Sequence, residues 1–377
     1  MMYFDYGATS PMSKKALEAY QLVALRYFGN TSSLHEEGIK ANQLLEAGRK
    51  KLASFINGNE EGIYFTSGGS ESNRLAIRSL AYGQKEKGTH LMTSCCEHHS
   101  VLETFKQLEK EGFTVTYLPV NDVGRIECET VKRALRKDTT LVSLSYGNGD
   151  IGTIHPVRSI GKLLHERDVL FHCDCVQAFS KVDIDVSRDY IDSLSLSSHK
   201  IYGPKGVGAC YIAPHIHIQS QHPGATHEKG FRMGTVDTPG ILSFITASED
   251  LLKDNHYNNH LQTMKQTFIS RLKTIRYPYT IEGDLHHSFP HVLGLRFHGV
   301  EGQWLMMESN RQGLYFSTGS ACHVHLHEPT PTMKALGRTN EEAFEFVRFT
   351  FGQQTTTEEV DKAIQILSDL LNQFQKE

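Results

Sequence analysis

Ile63-Tyr64-Phe65-Thr66-Ser67-Gly68-Gly69-Ser70-Glu71-Ser72-Asn73 carries a short β-rich run through a pair of glycines into a helical pattern. Beyond it, apolar residues recur as Leu75, Ala76, Ile77 and Leu80, which predicts a helix over 71–83. The alternation continues along the chain. Strands are expected at 63–66, 90–93, 114–118, 140–145, 169–173, 193–196 and 208–212. Helices are expected at 98–111, 127–136 and 157–166. Strands alternating with helices of about ten residues predict βαβ units, a mainly parallel sheet and helices on both faces. In such sheets ligands gather at the carboxyl ends of the strands.

Past Gly240 the pattern changes. One or two long helices are expected over 241–272, with Asp254-Asn255 and Asn258-Asn259 as a polar break. A mixed α+β segment follows. It closes on a helix with Val360, Ile364, Leu367 and Leu371 at helical spacing. No internal repeat or low-complexity linker separates the two regions, so the second is expected to pack on the first.

The chain has 377 residues, enough for two domains or one large domain with a smaller cap. With 39% hydrophobic and 22% charged residues it reads as globular with a sizeable core. A formal charge of −4 disfavours nucleic acid, whose phosphates need a basic face. No apolar run approaches the roughly 20 residues that span a bilayer. Residues 1–11 lack the basic start and apolar stretch of a signal peptide, so a cytoplasmic protein is expected. Seven cysteines without a disulfide-framework spacing read as thiols, most of them small core residues.

Three stretches carry chemistry. Ser197-Ser198-His199-Lys200-Ile201-Tyr202-Gly203-Pro204-Lys205-Gly206 places a lysine between a strand and a glycine-proline turn. Partial burial there would lower the ammonium pKa and free a nucleophilic amine; the plain alternative is a solvated lysine. The turn Gly68-Gly69-Ser70 opens a helix whose free N–H groups and dipole favour a phosphate, although an ordinary N-cap reads equally well. His172-Cys173-Asp174-Cys175-Val176-Gln177 ends an apolar strand with a carboxylate able to pair with a protonated ring nitrogen. Metal binding is the rival reading. It is disfavoured because Cys173 and Cys175 are expected to face apart and no second Cys/His pair lies at zinc-finger spacing. An imine-forming lysine, a carboxylate for a pyridinium and a phosphate cradle together describe a pyridoxal phosphate site.

These motifs and others in the same order resemble the cysteine desulfurase family, in the class V aminotransferase group of fold-type I pyridoxal phosphate enzymes. The resemblance runs through Tyr3 to Pro11, Gly29 to His35, Thr66 to Asn73, Glu97-His98, Asp174 with Gln177, and Ser197 to Gly206. It continues through Arg232-Met233-Gly234-Thr235, Gly319-Ser320-Ala321-Cys322 and Val347-Arg348-Phe349. It implies an α/β fold: a large cofactor domain over 13–255 with a mainly parallel seven-stranded sheet, and a smaller α+β domain of 1–12 with 256–377. Lys200 would hold the cofactor and move the substrate's α-proton. Asp174 would keep the pyridine nitrogen protonated, Gln177 would contact the ring hydroxyl, and His98 would stack on the ring. Gly69, Ser70, Ser197 and His199 would hold the phosphate, joined by Thr235 from the partner of a homodimer. Arg348, with Asn30, would bind the substrate carboxylate. Cys322 would take the sulfur of L-cysteine as a persulfide, leaving alanine, for a sulfur-acceptor protein in iron–sulfur cluster or thio-cofactor synthesis.

Two departures stand out. The family pattern Asn-Asn-Glu-Ile-Gly is Asn148-Gly149-Asp150-Ile151-Gly152 here, so a side-chain hydrogen bond to the cofactor is lost or supplied by Asn148 or water. After Cys322 the chain carries His323, His325 and His327, which read as surface residues, as a way to lower the thiol pKa, or as metal ligands. Alternatives to desulfuration are a selenocysteine lyase or other class V lyase, and a non-catalytic paralogue that docks a partner.

Overall fold

The computed structural model describes residues 1–222, 224, 226–318 and 329–375. Its centre is a seven-stranded sheet of β2 (Ile63–Thr66), β3 (His90–Ser94), β4 (Thr114–Leu118), β5 (Thr139–Ser145), β6 (Leu170–Asp174), β7 (Ser193–Ser197) and β8 (Gly208–Ile212). The spatial order is β2-β8-β7-β6-β5-β3-β4, and β8 alone runs antiparallel to its neighbours. The sheet is therefore the mainly parallel seven-stranded one that the alternation predicts.

Every residue of β3, β7 and β8 is buried, as expected when helices cover both faces. Successive residues feed opposite layers. Leu91 and Leu141 join Leu75, Ile77, Leu80 and Phe105 in one core, whereas Met92 and Val142 join Val157, Ile160 and Leu164 in the other. The first layer is covered by the helices Gly69–Gly83 and His99–Lys110, the second by Val157–His165 beside Cys128–Ala134. Cys173 and Cys175 lie in the same core cluster rather than facing apart. Residues two apart on an extended strand share a face, and that period overturns the earlier expectation.

A second, antiparallel sheet has the order β12-β10-β9, from β9 (Tyr279–Glu282), β10 (Val292–Phe297) and β12 (Phe346–Thr350). Near it, β1 (Met2–Tyr3) pairs in parallel with β11 (Leu314–Tyr315). The chain start is anchored by Phe4, whose ring meets Phe268, Phe349 and Phe351 edge-on at 5.8–6.2 Å. The stretch 241–272 forms two helices, Thr238–Lys253 and Tyr257–Leu272. Their break falls at Asp254-Asn255, but Asn258 and Asn259 belong to the second helix. Buried Tyr257 starts that helix, and the Asp254 carboxylate accepts from His256 N at 2.9 Å just before it. The closing helix, Thr357–Phe374, has a capping box made by Thr356 and Glu359 and buries the predicted apolar stripe.

Candidate active site

β6 ends on Asp174, and its parallel neighbours β5 and β7 end beside it at Ser145 and Ser197, at the carboxyl edge of the sheet. The Asp174 carboxylate is buried and doubly held. Oδ2 accepts from Asn73 Nδ2 at 2.7 Å and Oδ1 accepts from Val176 N at 3.0 Å. Asn73 turns its other end to His172, with Oδ1 3.2 Å from Nε2, while His172 Nδ1 meets Ser193 Oγ at 2.9 Å. Burial pushes the His172 imidazole down to about 3, so it stays neutral. A neutral ring that donates through Nε2 fixes the Asn73 amide with its NH₂ toward Asp174. Ser193, His172 and Asn73 thus form one hydrogen-bonded line behind the carboxylate.

Lys200 closes a single 3-10 turn, Ser198–Lys200, directly after β7. Its Nζ donates to the carbonyl oxygens of Gly7 and of Ala8, the latter at 2.8 Å. The turn is fixed from several sides. Ser10 Oγ donates to His199 O at 2.9 Å and accepts from Tyr202 N at 2.7 Å, and Lys181 Nζ donates to Lys200 O at 2.9 Å. Tyr202 sits at φ +64°, in the left-handed region that a bulky residue avoids. Such strain persists only where surrounding contacts over-determine it, as they do here.

Among the described residues no side chain caps the helix Gly69–Gly83, which leaves its first-turn N–H groups for another acceptor. Beside it stand Ser197 and His199, with His199 Nδ1 3.2 Å from Thr9 Oγ1. Burial pushes His199 down to about 4. A Cβ on Gly69 would stand 2.5 Å from Val176 Cγ2, so only glycine lets this turn approach the segment after β6.

Arg348, in the middle of β12, is 3% exposed. Its Nη1 donates to Gly149 O at 3.2 Å and Asp150 Oδ1 at 3.3 Å, and Nη2 donates to Asp5 Oδ1 at 3.3 Å. Among the described residues its buried Nε has no hydrogen-bond partner. An arginine held by long bonds with one donor unmet is chemically ready for a further carboxylate.

Gly69, Ser70, His98, Asn148, Asp174, Gln177, Ser197, His199, Lys200 and Arg348 all border one cavity of about 270 Å³. His98 caps the helix His99–Lys110 through Nδ1, and desolvation lowers its pKa. Gln177 donates to Gly7 O at 2.9 Å and lies 3.3 Å from His291 Nε2. Asn148 has a fully engaged amide. Oδ1 accepts from Asp150 N and Ile151 N, and Nδ2 donates to Thr332 Oγ1 at 3.1 Å and Cys96 O at 3.4 Å. It holds the 148–152 turn and has no donor left to offer. A Cβ on Gly149 would lie 3.2 Å from Gln177 Cγ, so a larger side chain there requires Gln177 to yield.

Two expected residues lie apart from the cavity lining. Asn30 is exposed, its side-chain oxygen accepting from Ser32 N at 2.9 Å. Thr235 is exposed on a segment whose base is pinned by Arg49, which forks onto both Glu228 oxygens at 2.9 Å. Cys322, His323, His325 and His327 lie outside the described residues. Residues assigned no role from the sequence are Asn73, Glu97, Asp5, Asp150 and Thr332, although all but Thr332 stand inside motifs quoted above. Glu97, next to His98, accepts from Ser94 Oγ at 2.6 Å and Ser145 N at 2.9 Å, and burial pushes its carboxyl up to about 8. No local pattern marks Thr332, whose part depends on its meeting with Asn148 and Asp150 across the fold.

The chain matches the Aminotransferase class-V family over residues 2–363, and it belongs to that family. It is 41% identical over 376 residues to a NifS protein of Bacillus subtilis (strain 168), covering 99% of this chain and 95% of the relative. It is 39% identical over 382 residues to the cysteine desulfurase IscS of Neisseria meningitidis serogroup C (strain ATCC 700532 / DSM 15464 / FAM18), covering 100% and 93%. Among solved structures, SspA in complex with cysteine superposes with a TM-score of 0.83 at 32% identity, covering 94% of this chain and 100% of that one.

Proposed function

We propose that this chain is a pyridoxal phosphate-dependent cysteine desulfurase that converts L-cysteine to L-alanine and keeps the sulfur as a persulfide on Cys322. The activity of the cysteine desulfurase relative, at 39% identity along the whole chain, supports the reaction. The carrying observation is the convergence of the Lys200 amine, the buried Asp174 carboxylate and the uncapped start of the helix Gly69–Gly83 on one cavity. The donor set fits the cofactor: helix N–H groups without a side-chain cap suit a phosphate, and a buried carboxylate suits a pyridinium.

When bound, pyridoxal phosphate supplies an electron sink that stabilises negative charge at the substrate's α-carbon. Lys200 Nζ would hold the cofactor covalently and move the α-proton. Asp174, oriented by Asn73, would hold a proton on the ring nitrogen. Gln177 would face the ring hydroxyl and His98 the ring plane. Gly69, Ser70, Ser197 and His199 would receive the phosphate, with Thr235 of a second copy in a homodimer. Arg348 would take the substrate carboxylate. Asn148 would act only by holding its turn. Segments 13–255 and 1–12 with 256–377 would form the two domains. This assignment is supported by the phenylalanine cluster that joins Phe4 to Phe268, Phe349 and Phe351.

A sulfur-acceptor protein would collect the persulfide in the cytoplasm; among the described residues no helix is long and apolar enough to cross a membrane. Purified protein given L-cysteine and a reductant should release alanine and sulfide one for one. Cys322→Ala should abolish both, and turnover by that variant would remove Cys322 from the reaction. Lys200→Ala should lose the visible absorbance of the bound cofactor.

A further inference from the structure

Lys181 has no part in the chemistry above, yet it lies against the site. It is 5% exposed on the turn after β6, seven residues beyond Asp174. Among the described residues its ammonium makes one hydrogen bond, the 2.9 Å contact to Lys200 O, and no carboxylate pairs with it. The charged and titratable groups around it are Lys200 and His199 from the 3-10 turn and His291 from the approach to β10. Lys265, from the helix Tyr257–Leu272, is close enough to act on the same histidine. His291 is buried and neutral, with Nε2 toward Gln177 and, among the described residues, no partner on Nδ1. Arg348, from β12, also acts on His291, and among the described residues no carboxylate acts on Lys181. Burial, then the charge of Lys200, pushes Lys181 down to about 7.

A tie to one backbone carbonyl needs only a neutral donor. An ammonium is the most expensive choice in a dry site, and placing it beside a second ammonium adds repulsion. Conflicts of this kind concentrate where a charge has a use.

We propose that Lys181 is a positioning residue for Lys200. It fixes the main chain on which that amine stands and, while it keeps its own proton, sets a second positive charge near it, so that the Lys200 amine gives up its proton at lower pH. The inference rests on Lys200 being the reacting amine.

The test pairs two variants with two readouts. Lys181→Gln keeps a donor and loses the charge; Lys181→Arg keeps the charge. In the loaded protein, the pH midpoint of the visible cofactor absorbance is followed. In the full chain before loading, the pH dependence of Lys200 acetylation by limiting acetic anhydride is followed by peptide mass spectrometry. Lys181→Gln should raise both midpoints by about one pH unit, the lower end of the effect of a nearby like charge. Lys181→Arg should stay near the parent. Unchanged midpoints in Lys181→Gln would reduce Lys181 to a backbone tie and overturn the proposal, as would equal shifts in both variants. Should Lys181→Gln not fold, Lys181→Met is read the same way. If Lys200 is not the cofactor's lysine, Lys200→Ala keeps its visible absorbance, whereas the acetylation arm still reports on Lys181.

Discussion

Asp174 owes its orientation to a residue far from it in the sequence. Asn73 is 101 positions upstream, and its amide is aligned by a neutral His172. Asn73→Ala would leave two buried partners unmet, at a cost of about 1–3 kcal/mol. The expected result is about tenfold weaker cofactor retention, measured as absorbance after dialysis, with Lys200 still labelled. Arg348→Lys removes the planar fork and its unmet Nε. The expected result is a rise of about 10- to 100-fold in KM for L-cysteine, with a smaller change in kcat. Glu97 gives a pH test. Its folded pKa of about 8 lies above the ordinary 4.5, so the folded state binds the proton more tightly, and stability falls as pH rises between those values. Relative to Glu97→Gln, the parent should therefore lose about 1 kcal/mol or more, a few degrees in Tm, between about pH 5 and pH 8.

At the scale of elements, the strands were legible because β-rich runs bounded by turn residues leave few alternatives. The predicted 63–66, 114–118 and 208–212 match β2, β4 and β8 residue for residue. The antiparallel sense of β8 was not legible, since no local pattern encodes which way a buried strand runs. The helices Lys14–Arg26 and Glu36–Phe55 also escaped the reading. The first mixes exposed Leu17, Leu22 and Leu25 with polar residues and buries only Ala16 and Val23, whereas the second buries small residues beside Leu45 and Leu52. The Gly68-Gly69-Ser70 turn was visible as a motif, but its reason is spatial: the Gly69 backbone passes Val176 too closely for a side chain. Gly69→Ala should cost about 1–3 kcal/mol and lower cofactor retention together, by thermal melting and absorbance.

The whole molecule assembles its site from pieces that the sequence scatters. Asp5 and Arg348 are 343 positions apart, and the Gly7 and Ala8 carbonyls reach Lys200 from nearly two hundred residues away. Sequence motifs named most of the groups around the cavity, yet they could not show that the first ten residues cross between the two sheets to form one wall. Phe4 is the nail of that arrangement, fully buried among three phenylalanines. Phe4→Ala should cost about 3–5 kcal/mol. Cofactor retention should fall with it, whereas Phe28→Ala, at an exposed ring, should move neither.

The Arg348 corner carries one further implication, for selectivity among small acids. The guanidinium already faces Asp5 and Asp150, so an arriving molecule meets a spot whose formal charge is −1. A zwitterion brings its own compensating ammonium group, but a simple thiol acid does not. 3-Mercaptopropionate should consequently be a feeble competitor beside cysteine despite sharing its thiol, its carboxylate and its carbon skeleton.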